Sequence, residues 1–117
     1  MEVHRTLGPG FQEVIYQRAL HEELIVNDIS AMREVEQPIY YKGKQIGTRR
    51  ADFVIEGKLV VEIKAVIGLQ DVHIAQAKNY TVAYDFPLGL LINFGSKSLE
   101  YKLMYNQQYE GRVPEVL

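Results

Sequence analysis

Residues 49–65 read RRADFVIEGKLVVEIKA, two apolar runs joined by a short turn. In the second run, strand alternation places Glu62 and Lys64 on one side and the intervening apolar residues on the other. The first run carries another carboxylate, Asp52, upstream of Glu62. An ionised group beside a core costs free energy unless it is paired or bound to a metal. The stretch therefore predicts a hairpin with charged residues of functional importance.

The segments around this hairpin alternate between helix-forming and strand-forming patterns. Helical spacing predicts helices over residues 11–26 and 69–84 and the last turns of another over 1–7. Strands are predicted where β-forming residues lie between turn signals, the first three as an antiparallel meander: 35–41, 45–55, 58–66, 87–94 and 99–105. Pro38 favours an edge position for the first of them. The order predicts helices packed on one sheet, in an α/β or α+β fold.

Length and composition indicate a single domain over residues 1–105, followed by a polar tail over 106–117. The 47% hydrophobic and 24% charged content is typical of a soluble globular protein. No apolar run approaches the roughly 18 residues of a membrane span. Cysteine is absent, which excludes disulfides and thiolate metal sites and agrees with a reducing compartment such as the cytoplasm.

The chain is acidic overall but contains one local cluster of basic residues. A net charge of −2 argues against indiscriminate binding to nucleic acid. Four cations nevertheless cluster within one short segment: Lys42, Lys44, Arg49 and Arg50. They would form either a basic patch for nucleic acid or a solvated hairpin edge whose lysines discourage edge pairing.

Asp52 and Glu62 form the pair on which metal chemistry would depend. A tight turn at residues 56–57 would bring their neighbouring strands, and hence the two carboxylates, close together. Two carboxylates and a backbone carbonyl make a hard oxygen site suited to Mg²⁺ or Mn²⁺. Lys64, on the face of Glu62, would orient a water or neutralise charge on a phosphate. The alternative is a cross-strand ion pair between Lys64 and Asp52.

Both longer helices present side chains that would extend this site. Glu13 begins a stripe with Tyr16 and Gln17 and would supply a third carboxylate; the alternative is a first-turn glutamate favoured by the helix dipole. Gln76 and Tyr80 lie one turn apart on the second long helix and would face nucleic acid or orient the metal ligands. The alternative for them is an ordinary solvent-facing stripe.

Five phrases of the chain resemble a known family. GFQEVIY at residues 10–16 matches the pattern that names the GxxExxY proteins, a branch of the PD-(D/E)XK nuclease-like superfamily. The other four phrases occur in the same order as in that family: VHRTLGPG at 3–10, RAD at 50–52, VEIKA at 61–65 and LINFG at 91–95. The resemblance runs to about residue 102.

The resemblance implies a restriction-endonuclease-like core, a central mixed sheet flanked by helices in the order α-β-β-β-α-β, to which the residues add one further strand. It implies Mg²⁺-dependent cleavage of DNA, with Asp52 and Glu62 as metal ligands and Lys64 as the motif lysine. Glu13 takes the place of the helix carboxylate. Gln76 and Tyr80 match the Q-x-x-x-Y pattern of RecB-type members.

Three hypotheses follow. In the first, the protein is a Mg²⁺- or Mn²⁺-dependent nuclease in which Arg49, Arg50, Gln76 and Tyr80 position DNA. In the second, it is a non-catalytic module that binds nucleic acid or a protein partner. In the third, the charged residues are a structural ion-pair network. Relatives carry a longer first helix, and an apolar face left open by its absence would favour a partner or a homodimer.

Overall fold

Three helices and five strands form the part of the chain that the computed structural model describes, residues 1–83, 85–107 and 109. In chain order they are α1 (Glu2–Leu7), α2 (Glu13–Val26), β1 (Ala31–Tyr41), β2 (Lys44–Ile55), β3 (Leu59–Lys64), α3 (Asp71–Ala83), β4 (Leu88–Asn93) and β5 (Glu100–Tyr105). None of the described helices combines the length and apolar character needed to cross a bilayer. The end of the second long predicted helix, at Tyr84, and most of the predicted tail (108 and 110–117) lie outside the described residues.

The strands form one mixed sheet in the order β1-β2-β3-β4-β5. The pairs β1–β2, β2–β3 and β4–β5 are antiparallel, whereas β3 and β4 are parallel and joined through α3. Pro38 lies in β1, at the edge of the sheet, as predicted. The predicted α/β fold and its three-stranded meander are therefore confirmed.

Two tight turns set the register of the meander. Lys42 and Gly43 connect β1 to β2 with φ values of 50° and 79°, and Glu56 and Gly57 connect β2 to β3 with 51° and 67°. Positive φ at both central residues defines a type I′ turn, whose twist matches that of the flanking strands. Only residues 56–58 separate the paired Ile55 and Leu59, and this short connection brings Asp52 beside β3.

Helices cover both faces of the sheet. Val61 and Ile63 of β3 pack in one buried cluster with Tyr16 of α2. Glu62 and Lys64 face the opposite side and line a cleft under α3. The predicted alternation along this strand is confirmed, because the apolar residues enter the core while the charged ones meet α3.

A close approach at Gly89 holds α3 against β4. A Cβ atom at this position would collide with the Thr81 side chain, which is buried and donates its hydroxyl hydrogen bond to the Ala77 carbonyl at 2.9 Å. The missing side chain lets the helix lie directly on the strand. This contact places the polar side chains of α3 above the cleft.

Asn93 fixes the chain where it leaves β3. This fully buried amide accepts from the Val66 and Gly95 N–H groups at 2.9 and 3.0 Å. Its Nδ2 donates to the Val66 carbonyl and to Glu100 Oε1, each at 2.9 Å. The hydrogen bonds from Asn93 and from the backbone of Leu69 lower the pKa of the Glu100 carboxyl. The network immobilises the segment that follows Lys64.

The described residues leave part of the face that carries α1 uncovered. An open groove there has no polar lining and is formed by these residues: Met1, Leu90, Ile92, Leu99, Tyr101 and Leu103. An apolar opening on the helix side was expected from the sequence. A homodimer or a protein partner that covers it stays a prediction.

Tyr16 ties the loop between α1 and α2 to the core. Its side chain is fully buried, and its hydroxyl donates to the Gly8 carbonyl at 2.5 Å and accepts from the Phe11 N–H at 3.2 Å. Its ring stacks on Phe94 with centroids 4.8 Å apart and planes 9° apart. The tyrosine of the G-x-x-E-x-x-Y phrase thus has a structural task.

Replacing Tyr16 by phenylalanine removes both hydroxyl hydrogen bonds and keeps the ring stack. We expect the Tyr16→Phe protein to lose about 1–2 kcal/mol of unfolding free energy, because the Gly8 carbonyl loses its partner in a partly buried loop. Urea denaturation measures the loss. Tyr101→Phe, at an exposed position of β5, serves as the control, and equal stability of the two variants would contradict the assignment.

Candidate active site

The site begins where β2 separates from β3. The backbone pairing of these strands runs from Ile55 to Phe53 and ends there. One residue further, the Asp52 side chain takes the place of a backbone carbonyl as hydrogen-bond acceptor. Its Oδ2 accepts from the Ile63 N–H at 2.7 Å. Its Oδ1 accepts from Nε2 of Gln17, on α2, at 2.9 Å. The carboxylate is therefore held in the fork between two strands before any ligand binds.

Glu62 lies beside Asp52 and is 8% exposed. Its buried Oε1 atom has no hydrogen-bond partner among the described residues, an arrangement that costs free energy in a native protein. Burial first, and then the charge of Asp52 and a hydrogen bond with it, raise the pKa of the Glu62 carboxyl to about 9, although Lys64 and Arg49 act in the opposite direction. At neutral pH the Glu62 carboxyl is therefore protonated.

The wall of the cleft comes from α3. Seven residues line it, with space for roughly one water molecule: Glu62, Lys64, His73, Gln76, Ala77, Tyr80 and Leu91. Gln76 and Tyr80, selected from the sequence, thus lie at the same cleft as Glu62 and Lys64. Within the described ranges Lys64 forms no ion pair within 4.0 Å, so the cross-strand ion pair with Asp52 is not formed.

The two arginines before Asp52 point to different sides of the sheet. The Arg49 guanidinium lies over the Tyr80 ring, 3.5 Å from its centroid, in a cation–π contact. Arg50 pairs with Glu36 of the edge strand at 3.5 Å, and both side chains are exposed. The two arginines therefore do not belong to one patch, because neighbouring strand residues face opposite sides.

Glu13 does not join the carboxylate pair. It is exposed in the first turn of α2, one turn before Gln17. In residues 1–83, 85–107 and 109, no three histidine, aspartate or glutamate side chains come close enough to share a metal ion. The structure places Gln17, not Glu13, against Asp52, because the rotation of α2 about its axis is set by burial of the intervening Tyr16.

Sequence reasoning gave no role at the site to Gln17. Gln17 is 6% exposed, and a polar residue within the buried stripe of α2 was the signal that could have identified it. His73 lines the cleft, and its Nδ1 also accepts from the Gln70 N–H at 3.0 Å. It lies one turn before Gln76, and this spacing was its signal.

The donor set fits a magnesium-type ion. Mg²⁺ prefers oxygen ligands and is usually held by one or two carboxylates together with waters and substrate phosphates. Asp52 and Glu62 supply two carboxylates, and the partnerless Oε1 of Glu62 has an unmet demand for a positive partner. The Ile63 carbonyl points from the same strand edge as the N–H that Asp52 accepts. Two carboxylates and one carbonyl at this fork are sufficient for such an ion.

Comparison with known proteins gives the family. A model of the PD-(D/E)XK nuclease superfamily matches residues 1–104, so the chain belongs to this superfamily. The crystal structure of SSO0001 is similar, with a TM-score of 0.63 and 25% identity over 80% of this chain and 50% of that one. The chain thus corresponds to about half the length of that structure. No curated protein sequence matches, and the GxxExxY branch stays a prediction.

Proposed function

We propose that this protein is a nuclease that hydrolyses phosphodiester bonds of DNA with Mg²⁺ or Mn²⁺. The observation that supports this most is Glu62, which shares a cleft with Lys64 and lies beside Asp52. Among the described residues its buried carboxylate oxygen Oε1 has no hydrogen-bond partner. Structural carboxylates are seldom left in this state. Membership of a nuclease superfamily supports the same conclusion.

Asp52 and Glu62 are the proposed metal ligands. Hydrogen bonds from Gln17 and Ile63 orient Asp52 in advance, which limits the reorganisation that binding requires. Glu62 must release its proton to bind a cation, and the nearby Lys64 and Arg49 favour its ionised form. When bound, the ion supplies a nucleophilic water at neutral pH and neutralises charge on the phosphate.

Lys64 is the proposed catalytic cation. It follows Glu62 by two residues on the same strand face, and its ammonium forms no ion pair within 4.0 Å in the described part of the chain. Such a group can orient the attacking water and donate hydrogen bonds to a phosphate oxygen as charge accumulates there.

The proposed DNA contacts surround the cleft. Gln76 and Tyr80 line it, and Arg49 stacks over Tyr80 at its rim, so these three would meet the backbone next to the scissile phosphate. Arg50 would contact DNA only from the opposite face. Glu13 is proposed to reach a hydrating water of the ion, since it is exposed one turn from Gln17.

Cleavage assays test the proposal directly. The purified protein should cut single- or double-stranded DNA with Mg²⁺ or Mn²⁺ and lose activity in a chelator. Asp52→Asn should reduce the rate by more than the roughly 10–100-fold that outer partners of a metal cost. Asp28→Asn, in the exposed segment after α2, is the matched control. Equal rates for both variants would exclude this site.

One observation favours a second candidate, a non-catalytic module that binds nucleic acid. The pKa of the Glu62 carboxyl is raised to about 9. At neutral pH this carboxyl is therefore protonated, and a metal ligand must be deprotonated to bind. Calorimetric titration with Mn²⁺ separates the candidates. Binding that is lost in Glu62→Ala supports the nuclease; absence of binding up to millimolar Mn²⁺ supports the module.

A further inference from the structure

The hairpin formed by β1 and β2 has a charge opposite to that of the rest of the chain. Residues 37–51 contain Lys42, Lys44, Arg49 and Arg50 and no acidic residue. Since the whole chain has a net charge of −2, the remaining residues together carry −6. The positive charge is therefore concentrated in one segment, which we call the arm, and a polyanion is attracted there rather than to the surface as a whole.

The arm is a two-stranded ribbon that extends beyond the body of the sheet. β2 pairs with β3 only from Phe53 to Ile55, whereas it pairs with β1 as far as Tyr41 and Lys44. Residues 37–51 are thus bonded to each other and not to a third strand. The overall dimensions of 44 × 29 × 22 Å agree with such an elongated shape.

One side of the arm continues the wall of the cleft. At its base, Val35 packs with Ala51 and Tyr80 in a cluster on the α3 side of the sheet, and Arg49 lies over Tyr80. Alternation along β1 then keeps Gln37, the partner of Arg49, on this side together with the residues that follow at every second position.

The same alternation along β1 carries this side to the tip of the arm, past a register shift between Ile39 and Tyr40 in the pairing with β2. Tyr41 and its partner Lys44 lie there, about 13 Å from the Arg49 pair at ~3.3 Å per residue. Tyr41 is 60% exposed, and the Lys42 ammonium lies 5.4 Å from the centre of its ring. This side of the arm therefore has the half-buried Arg49 at the cleft and the exposed Lys42 and Lys44, with an aromatic ring, at the tip.

On the basis of the proposed function, we propose that the arm binds duplex DNA beside the scissile phosphate, with Lys42 and Lys44 on backbone phosphates. The major groove of B-DNA, about 12 Å wide, admits a two-stranded ribbon. The major groove of duplex RNA is deep and too narrow for side chains to read. Phosphate contacts from lysines fix the register of a protein on DNA, and here they would direct one strand to the cleft.

Binding assays without cleavage test this role. The probe is a fluorescent duplex of about 20 base pairs in Ca²⁺, followed by fluorescence anisotropy over a range of salt concentrations. The variant Lys42→Ala/Lys44→Ala should weaken binding about tenfold or more. It should also lower the slope of log K against log salt by about 2, since each lost phosphate contact contributes roughly 0.9.

The control variant is Lys58→Ala/Lys102→Ala, which removes the same charge from exposed positions outside the arm. It should leave both affinity and slope nearly unchanged. Equal losses in the two variants, an unchanged arm variant, or losses confined to single-stranded DNA or duplex RNA would each overturn the proposal. If the wild-type protein binds duplex DNA through the arm lysines but does not cleave it, the nuclease proposal is refuted and the arm proposal is retained.

Discussion

Replacing Lys64 by methionine is expected to reduce DNA cleavage about 10²- to 10⁴-fold, the range for loss of a positioned catalytic group. The methionine keeps most of the side-chain volume in the cleft and removes the ammonium. Because Lys64 is not a proposed metal ligand, Mn²⁺ affinity measured by calorimetry should fall far less than in Asp52→Asn. Single-turnover cleavage with saturating metal separates the two effects.

Lys58→Met is the matched control for this prediction. Lys58 is exposed in the turn before β3, six residues or about 20 Å from Lys64 along the strand, so its loss should leave cleavage unchanged. If the charges were a structural network, Lys64→Met would destabilise the fold by about 3–5 kcal/mol, as removal of one partner of a buried pair does. We expect a much smaller change, because Lys64 forms no ion pair in the described residues.

Replacing Glu62 by glutamine is expected to stabilise the metal-free protein at pH 8 and to remove a pH dependence of its unfolding. The pKa of Glu62 rises from 4.5 to about 9 on folding. Below pH 4.5 the carboxyl is protonated in both states and has no effect on stability. Between pH 4.5 and 9 only the unfolded state is ionised, so wild-type stability falls with rising pH by up to about 1.4 kcal/mol per unit.

Urea denaturation at pH 5 and pH 8 in a chelator tests the sign. The advantage of Glu62→Gln over wild type should be small at pH 5 and increase to several kcal/mol at most by pH 8. Glu22→Gln, exposed on α2, corrects for the loss of one charge. An advantage that is larger at pH 5 would contradict the assignment of the proton to this carboxyl.

Addition of Mn²⁺ gives the same experiment a second readout. A cation competes with the proton for Glu62, so that it should stabilise wild type more at pH 8 than at pH 5. The stability of Glu62→Gln should increase far less with Mn²⁺, because glutamine has no carboxylate to which the cation could bind in place of the proton. Equal stabilisation of both proteins would place the metal elsewhere.

Local patterns were sufficient for most of the fold. The type I′ turns at residues 42–43 and 56–57 and the alternation around Glu62 depend on neighbours in the chain, and the meander followed from them. The same local turn and strand geometry predicted that Asp52 lies beside Glu62. The parallel pairing of β3 with β4 needs a crossover through α3. Because it joins segments that are distant in the sequence, no local pattern specifies it.

The parts of the site that were not predicted depend on how helices sit on the sheet. Glu13 and Gln17 share one stripe of α2, and only burial of Tyr16 against Phe94 decides that Gln17 meets Asp52. Arg49 and Arg50 are adjacent in sequence, and the pleat sends one to Tyr80 and the other to Glu36.

The charged stretch at residues 49–65 therefore contains its own hairpin and its carboxylate pair, because strand period and turn geometry act over a few residues. The unusual environment of Glu62 in this pair comes from tertiary packing alone. Covering Glu62 with α3 removes water from its carboxyl, raises its pKa and leaves Oε1 without a hydrogen-bond partner in the part of the chain that the structure describes. Desolvation arises from atoms distant in the chain, and for that reason it is a property of the folded protein and not of the strand that carries the residue.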